Sequence, residues 1–261
     1  MSANLSLSGL LFACSPLAAV EPGPREMSTD RPDTTESPYT VPAGMVQIEA
    51  SFFDFTRDGG GEGPTDEWVY GQIDFKLGLT PQSDLQVVVN SHTAVGETGT
   101  GERNGRSGLG DITLRYKHNL WGNDGGDSAF ALMPSITMPT GTEVSGDGWS
   151  GGLMAPLGIA LTDRLSLGLM GQFDLVHDGE TGGHDLECLH SMTLGLSVTD
   201  WLGVYGELVG IAGQDADYQA LFDTGLTFSL SDDLVLDAGV RLGLNRAAPD
   251  FGVFTGLSIR F

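Results

Sequence analysis

The chain has 261 residues and a formal net charge of -23, with 35 Asp and Glu against 12 Lys and Arg. No stretch supplies the basic face that displaces phosphate counterions, so nucleic-acid binding is excluded. Glycine makes up 39 residues without a Gly-X-Y period, 40 % of the chain is hydrophobic, and Cys14 and Cys188 are the two cysteines. A collagen, a disordered chain and a disulfide scaffold are thereby excluded as well.

Residues 1–20 carry no charged side chain, and Leu5, Leu7, Leu10, Leu11 and Phe12 form an apolar patch before the small residues Ala18 and Ala19. They read as an export signal, with lipidation at Cys14 as the alternative to ordinary cleavage. Residues 21–42 follow as a polar leader, expected on the periplasmic side, and 43–261 form the main domain. After Val20 no apolar run approaches the roughly 20 residues of a membrane-spanning helix.

From Val41 onward the sequence alternates with a period of two, the signature of strands with one polar and one apolar face. Val69, Gly71, Ile73, Phe75 and Leu77 alternate with Tyr70, Gln72, Asp74 and Lys76. Short Thr/Ser-Asp turns recur at Thr80–Asp84, Thr162–Arg164, Thr199–Trp201 and Ser231–Asp233, with Trp121–Asp127 in the fifth such position. Between them lie longer connections rich in Gly, Asp and Glu. The spacing predicts strands near 43–56, 68–79, 84–93, 108–120, 128–138, 151–162, 164–176, 186–198, 201–211, 218–230, 233–244 and 250–261. Their lengths, mostly near 10–13 residues, suffice for the roughly 9–11 tilted residues needed to cross a bilayer. The expected fold is all-β: a twelve-stranded antiparallel transmembrane β-barrel of the bacterial outer membrane, short turns periplasmic and long loops outside. A water-soluble barrel would carry a polar outer face, whereas the outward set here is Val, Leu, Ile, Phe, Ala and Gly. Outer-membrane lipid and lipopolysaccharide are the partners such a wall implies.

The inward face is polar. It is expected to line the lumen with Glu49, Asp74, Lys76, Gln86, Asn90, His92, Asp111, Arg115, Lys117, Asp174, Glu187, Tyr205, Glu207, Asp223, Asp237, Arg241 and Arg260. The leader carries Asp30, Arg31, Asp33 and Glu36, while Lys76, Lys117 and Arg260 lie near the periplasmic strand ends. Opposite charges therefore face each other at one mouth, and the leader is expected to fold back as a plug, with Arg31 drawn to an acid such as Asp237. A flexible linker to the first strand is the rival reading. The long connections hold far more acids than bases, so the outer mouth is expected to repel anions.

Catalysis finds little support. His190 adjoins Ser191, but neighbours on a strand point to opposite faces, so a lipid-active esterase would need a bulge to pair them. The run His177–Asp185 concentrates possible ligands without a compact zinc spacing, and no metal or cofactor is expected. A structural or adhesive barrel without a conducting path stays open as the alternative to a channel for a small-molecule solute.

The last strand places Phe251, Val253, Leu257, Ile259 and the terminal Phe261 on one face. It resembles the signal by which bacterial outer-membrane proteins are recognised by the barrel-assembly machinery. Three longer segments, Ser28–Gly44, Gly108–Gly122 and Met133–Gly141, resemble the outer-membrane transporters grouped as the "meta-pathway of phenol degradation" family. That resemblance runs from about Ser28 to Phe261. It implies an outer-membrane barrel that admits aromatic or other small hydrophobic compounds, and it brings no catalytic residues.

Overall fold

The computed structural model describes residues 24–59, 64–97, 105–214 and 216–261. The export signal and Cys14 lie outside them. The period-two pattern is realised as strands β1 (Val46–Asp58), β2 (Thr65–Thr80), β3 (Ser83–Glu97), β4 (Arg106–Gly108), β5 (Ile112–Trp121), β6 (Ser128–Met138) and β7 (Ser150–Ala160). They continue as β8 (Leu165–His177), β9 (His184–Ser197), β10 (Leu202–Gly213), β11 (Gln219–Ser231), β12 (Leu234–Gly243) and β13 (Phe251–Arg260). The segments β4 and β5 form one stave. Thr93 of β3 pairs with Gly108 and Val89 with Ile112, which is a single antiparallel register. The gap is bridged by Gly110, whose N–H donates to Asn90 O at 2.9 Å. A Cβ on Gly110 would stand 2.6 Å from the Asn90 Cβ, so the close approach needs glycine.

Twelve staves result, each antiparallel to its neighbours. β1 pairs with both β2 and β13, and the β2–β3 pairing completes the ring. A closed barrel leaves no unpaired edge. The tight connections all lie at one end of the barrel, the short-turn end, and the longer ones at the other. Phe261 extends the last pairing, its N–H donating to Val46 O at 2.8 Å.

The molecule is inside out. Ile73, Phe75, Leu114, Leu153, Phe173 and Leu208 are exposed on its outer wall, while the largest fully buried side chains include Lys76, Lys117, Gln47, Gln86 and Glu207. An apolar surface this extensive drives association in water and is the solvated state in a bilayer.

Three features depart from the sequence pattern. First, the β1–β3 wall is taller than expected, because β2 starts at Thr65 and β3 runs to Glu97. Polar residues there belong to strands, as the Arg57–Asp66 pair across β1 and β2 illustrates at 2.7 Å.

Second, the alternation inverts halfway up that wall. β1 bulges between Ser51 and Phe53, and Gly71 on β2, between the Ala50–Ile73 and Phe53–Tyr70 pairs, has φ +61°. Below this level Glu49 and Asp74 face the lumen. Above it Asp54 does, while Trp68, Tyr70 and His92 turn outward. His92, expected in the lumen, is therefore an exposed outer-wall residue. Its ring lies 6.3 Å from that of Tyr70, which stacks on Trp68 at 5.8 Å.

Third, part of the inner wall is apolar. Met133, Met154 and Met170 are buried together against Leu189, which also touches a cluster of Val209, Leu221 and Ala248.

Candidate functional site

Residues 24–42 run inside the barrel from the short-turn end. Pro32 and Pro38 deny this segment regular strand pairing. Its backbone and side chains are instead met by the inner wall.

Arg25 fastens the short-turn mouth, donating to Pro81 O at 2.9 Å, to Asp124 at 3.0 Å and to Thr40 O at 3.0 Å. Arg260 donates to Arg25 O at 2.7 Å and pairs with Asp233 at 2.6 Å. Deeper in, the Asp30 carboxylate takes the Lys76 ammonium and, at 2.6 and 2.8 Å, that of Lys117. Lys76 also reaches Glu49 at 2.5 Å, and Glu49 accepts the backbone N–H groups of Asp30 and Arg31 at 3.1 and 2.9 Å. Arg31 forks onto both Asp237 oxygens at 3.0 and 2.6 Å and donates to Ser51 at 2.5 Å. Such planar, bidentate pairing fixes orientation as well as charge.

The next turn of the segment lies on Glu207. The N–H groups of Thr34 and Thr35 donate to its two oxygens at 2.7 and 2.8 Å, and the Thr35 hydroxyl adds a third bond at 2.5 Å. Glu36 pairs with Arg115 at 2.9 Å, and its N–H points at the Met170 sulfur at 3.5 Å. The segment leaves along Asn119, Asn123 and Asp84, which bond Pro38 O, Thr40 N and Val41 N.

Electrostatics differ along the segment. Burial alone would raise the Asp30 carboxyl, but Lys117 and Lys76 outweigh it and hold the group far below the usual carboxylate range. Burial and then the charge of Glu207 push Asp33 well above that range. Burial followed by the nearby Asp30 charge lifts Glu36 to about 7 despite Arg115.

Among the expected lumen residues, Glu49, Lys76, Gln86, Arg115, Lys117, Glu207, Asp223, Asp237 and Arg260 contact this segment directly, Gln86 by donating to Asp30 at 3.4 Å. Arg241 stands between Asp54 and Asp223, 3.5 Å from each. Asn90 accepts from Gln72 at 2.9 Å, and Asp174, opposite Glu187 in register, accepts from Gln172 at 2.6 Å. Asp111 holds the β6–β7 connection through the Gly146 N–H at 3.1 Å. Asp74 lies 3.7 Å from Lys76 and keeps one buried oxygen without a partner among the described residues, as does the buried Tyr205 hydroxyl.

Sequence reasoning missed Gln47, Ser51, Asp84 and Asn119 as segment contacts. Gln47 and Ser51 share the face of Glu49, and Asn119 that of Lys117, so extending the alternation by one step would have found them. Asp54 carried no such signal, because the β1 bulge reverses its side. Ser191 bonds Thr35 inside the barrel at 2.6 Å, whereas His190 stacks on Tyr218 outside, so the two do not meet. His177 and His184 sit edge to face at 5.5 Å in the β8–β9 loop region. Among the described residues no three metal-ligating side chains converge.

The lodged segment borders several cavities, three of which Asp33 lines. One of about 160 Å³ lies on the long-connection side. Two of about 390 and 210 Å³ lie on the short-turn side, against β7 to β11.

No curated protein sequence matches the chain. Solved structures match its fold. The COG4313 outer membrane channel from Pseudomonas putida F1 superposes with TM-score 0.70 at 15% identity, covering 85% of this chain and 97% of that one. The NanC porin gives 0.55 at 9%, covering 82% and 98%. The β domain of the Bordetella autotransporter BrkA gives 0.51 at 12%, covering 83% and 98%. A family profile matches residues 29–261, from the lodged segment to the last strand, and the chain therefore belongs to the family described as "Putative MetA-pathway of phenol degradation".

Proposed function

We propose that the protein is a channel of the bacterial outer membrane that passes small solutes passively, throttled by its own N-terminal segment at the periplasmic mouth. The observation that carries this reading is the closed inside-out barrel whose lumen holds residues 24–42 while leaving cavities on both sides of them. The structural neighbours, an outer membrane channel and a porin, agree with it. The solute class proposed is small aromatic or apolar compounds, for which the methionine and leucine strip on one inner wall offers a soft, adaptable surface. Lipid and lipopolysaccharide surround the outer wall, and the strand ending in Phe261 is the docking signal for the barrel-assembly machinery.

Planar-bilayer conductance and liposome swelling test the function. The full chain should conduct weakly, and deletion of residues 21–38 should raise conductance severalfold. The many bonds that hold the segment favour a second reading, a structural barrel with no path. Absence of flux in both forms, with the barrel folded, would establish that reading instead.

A further inference from the structure

On the inner wall from β8 to β11, hydroxyls alternate with glycines from strand to strand. At the short-turn end Ser197 and Thr227 flank Gly203 in register. One step deeper Ser166 and Tyr205 flank Gly195, and beyond them Thr193 pairs with Gly168. A Cβ on Gly195 would stand 2.8 Å from Ser166 Oγ, and one on Gly203 would crowd Thr227 Oγ1, so the glycines keep the space beside the hydroxyls clear. That space is the cavity of about 390 Å³, which Ser28, Thr29 and Pro32 of the lodged segment line from the other side. Tyr205 lines it too, is more than nine-tenths buried, and has a hydroxyl without a partner among the described residues. Such a group calls for a partner from outside the chain. The charged groups of the lining are not free to supply a counter-charge. Arg31 forks onto Asp237, and burial with the charge of Glu207 holds Asp33 well above the carboxylate range, which favours its uncharged form.

We infer that this cavity is a binding site for a neutral single-ring polyol, such as an inositol or a monosaccharide. The site goes beyond the channel function and does not depend on it. Ser197, exposed at the end of β9, puts the cavity within reach of the short-turn mouth, so binding needs no flux. A hydroxyl both donates and accepts. A wall carrying Ser166, Thr193, Ser197, Tyr205 and Thr227 therefore matches a ligand that presents hydroxyls on several sides. An apolar ring of the same size would desolvate these groups and leave the Tyr205 hydroxyl unpaired; the methionine strip offers it a better surface. An ionic solute would lose its hydration without finding an unengaged opposite charge. Because the segment forms one side of the cavity, the polyol should bind only while the segment is docked.

Titration of the full chain with myo-inositol, in a detergent without a sugar headgroup, provides the test, followed by calorimetry and saturation-transfer difference NMR. Wild type should bind myo-inositol saturably. Cyclohexanol, the same ring with one hydroxyl, and glucuronate, a ring with a carboxylate, should displace it poorly. Tyr205→Phe keeps the ring and removes the hydroxyl, and should weaken binding by about fivefold. Gly195→Val fills the cavity and should abolish binding, as should deletion of residues 21–38. Heat-modifiable gel migration checks that each barrel is folded. Absence of saturable binding to folded wild type, unchanged affinity in Tyr205→Phe, or equal displacement by cyclohexanol or glucuronate would overturn the inference. Each of these results leaves the channel function standing, because conductance tests that separately. A barrel that binds myo-inositol in this way but conducts nothing would support the site while overturning the channel.

Discussion

Asp30 joins two buried lysines to the segment, so its loss leaves Lys76 and Lys117 facing each other with Glu49 as the nearest compensating acid. Removing one partner from a buried charge pair costs up to roughly 3–5 kcal/mol. Asp30→Ala should accordingly release the segment, read as tryptic cleavage after Arg25 in the folded barrel; continued protection would contradict the anchoring role. Glu36 adds a pH dependence. Its carboxyl is raised from 4.5 to about 7 in the docked state, so its contribution to docking is fully present below the free value and is lost as pH rises through about 7. Conductance should therefore increase between about pH 5 and about pH 8, and Glu36→Gln should flatten that rise. Asp30, shifted in the opposite direction, matters only in acid. The Arg31–Asp237 pair was legible from charge alone, since an isolated base among leader acids needs a lumen acid. The three bonds to Glu207 were not, because two of them come from backbone N–H groups that no side-chain pattern announces.

Strands were legible where their two faces differ in polarity. β13 shows this: buried Phe254, Ser258 and Arg260 alternate with the less buried Val253, Leu257 and Ile259. Alternation is silent in β6, where Ala129, Ala131 and Met133 point inward and Phe130 and Leu132 outward, all of them apolar. That silence hid the methionine strip. The reversal of the β1–β3 wall was hidden for a different reason: one extra residue in β1 exchanges the faces without changing composition. Gly71 is the residue that makes the reversal tolerable, since its φ of +61° lies in the left-handed region. Gly71→Val should cost about 1–3 kcal/mol and lower the temperature at which the barrel loses its heat-modifiable form. An unchanged unfolding temperature would show that the wall tolerates a side chain there.

At the scale of the whole molecule, the apolar exterior, the charged interior and the lodged segment form one arrangement. The wall must be apolar to lie in lipid, which leaves charge only for the lumen. Charge in the lumen must be paired, and the segment supplies Asp30, Arg31 and Glu36 as partners for Lys76, Lys117, Asp237 and Arg115. The acidic long connections should give a salt-sensitive preference for cations, fading as the Debye length falls below about 10 Å above 0.1 M salt. The most direct test of the central claim is single-channel conductance of the full chain against the chain lacking residues 21–38, each shown to be folded by heat-modifiable migration. The segment-throttled channel predicts a severalfold larger conductance for the shortened chain. Equal conductance in the two forms would contradict it.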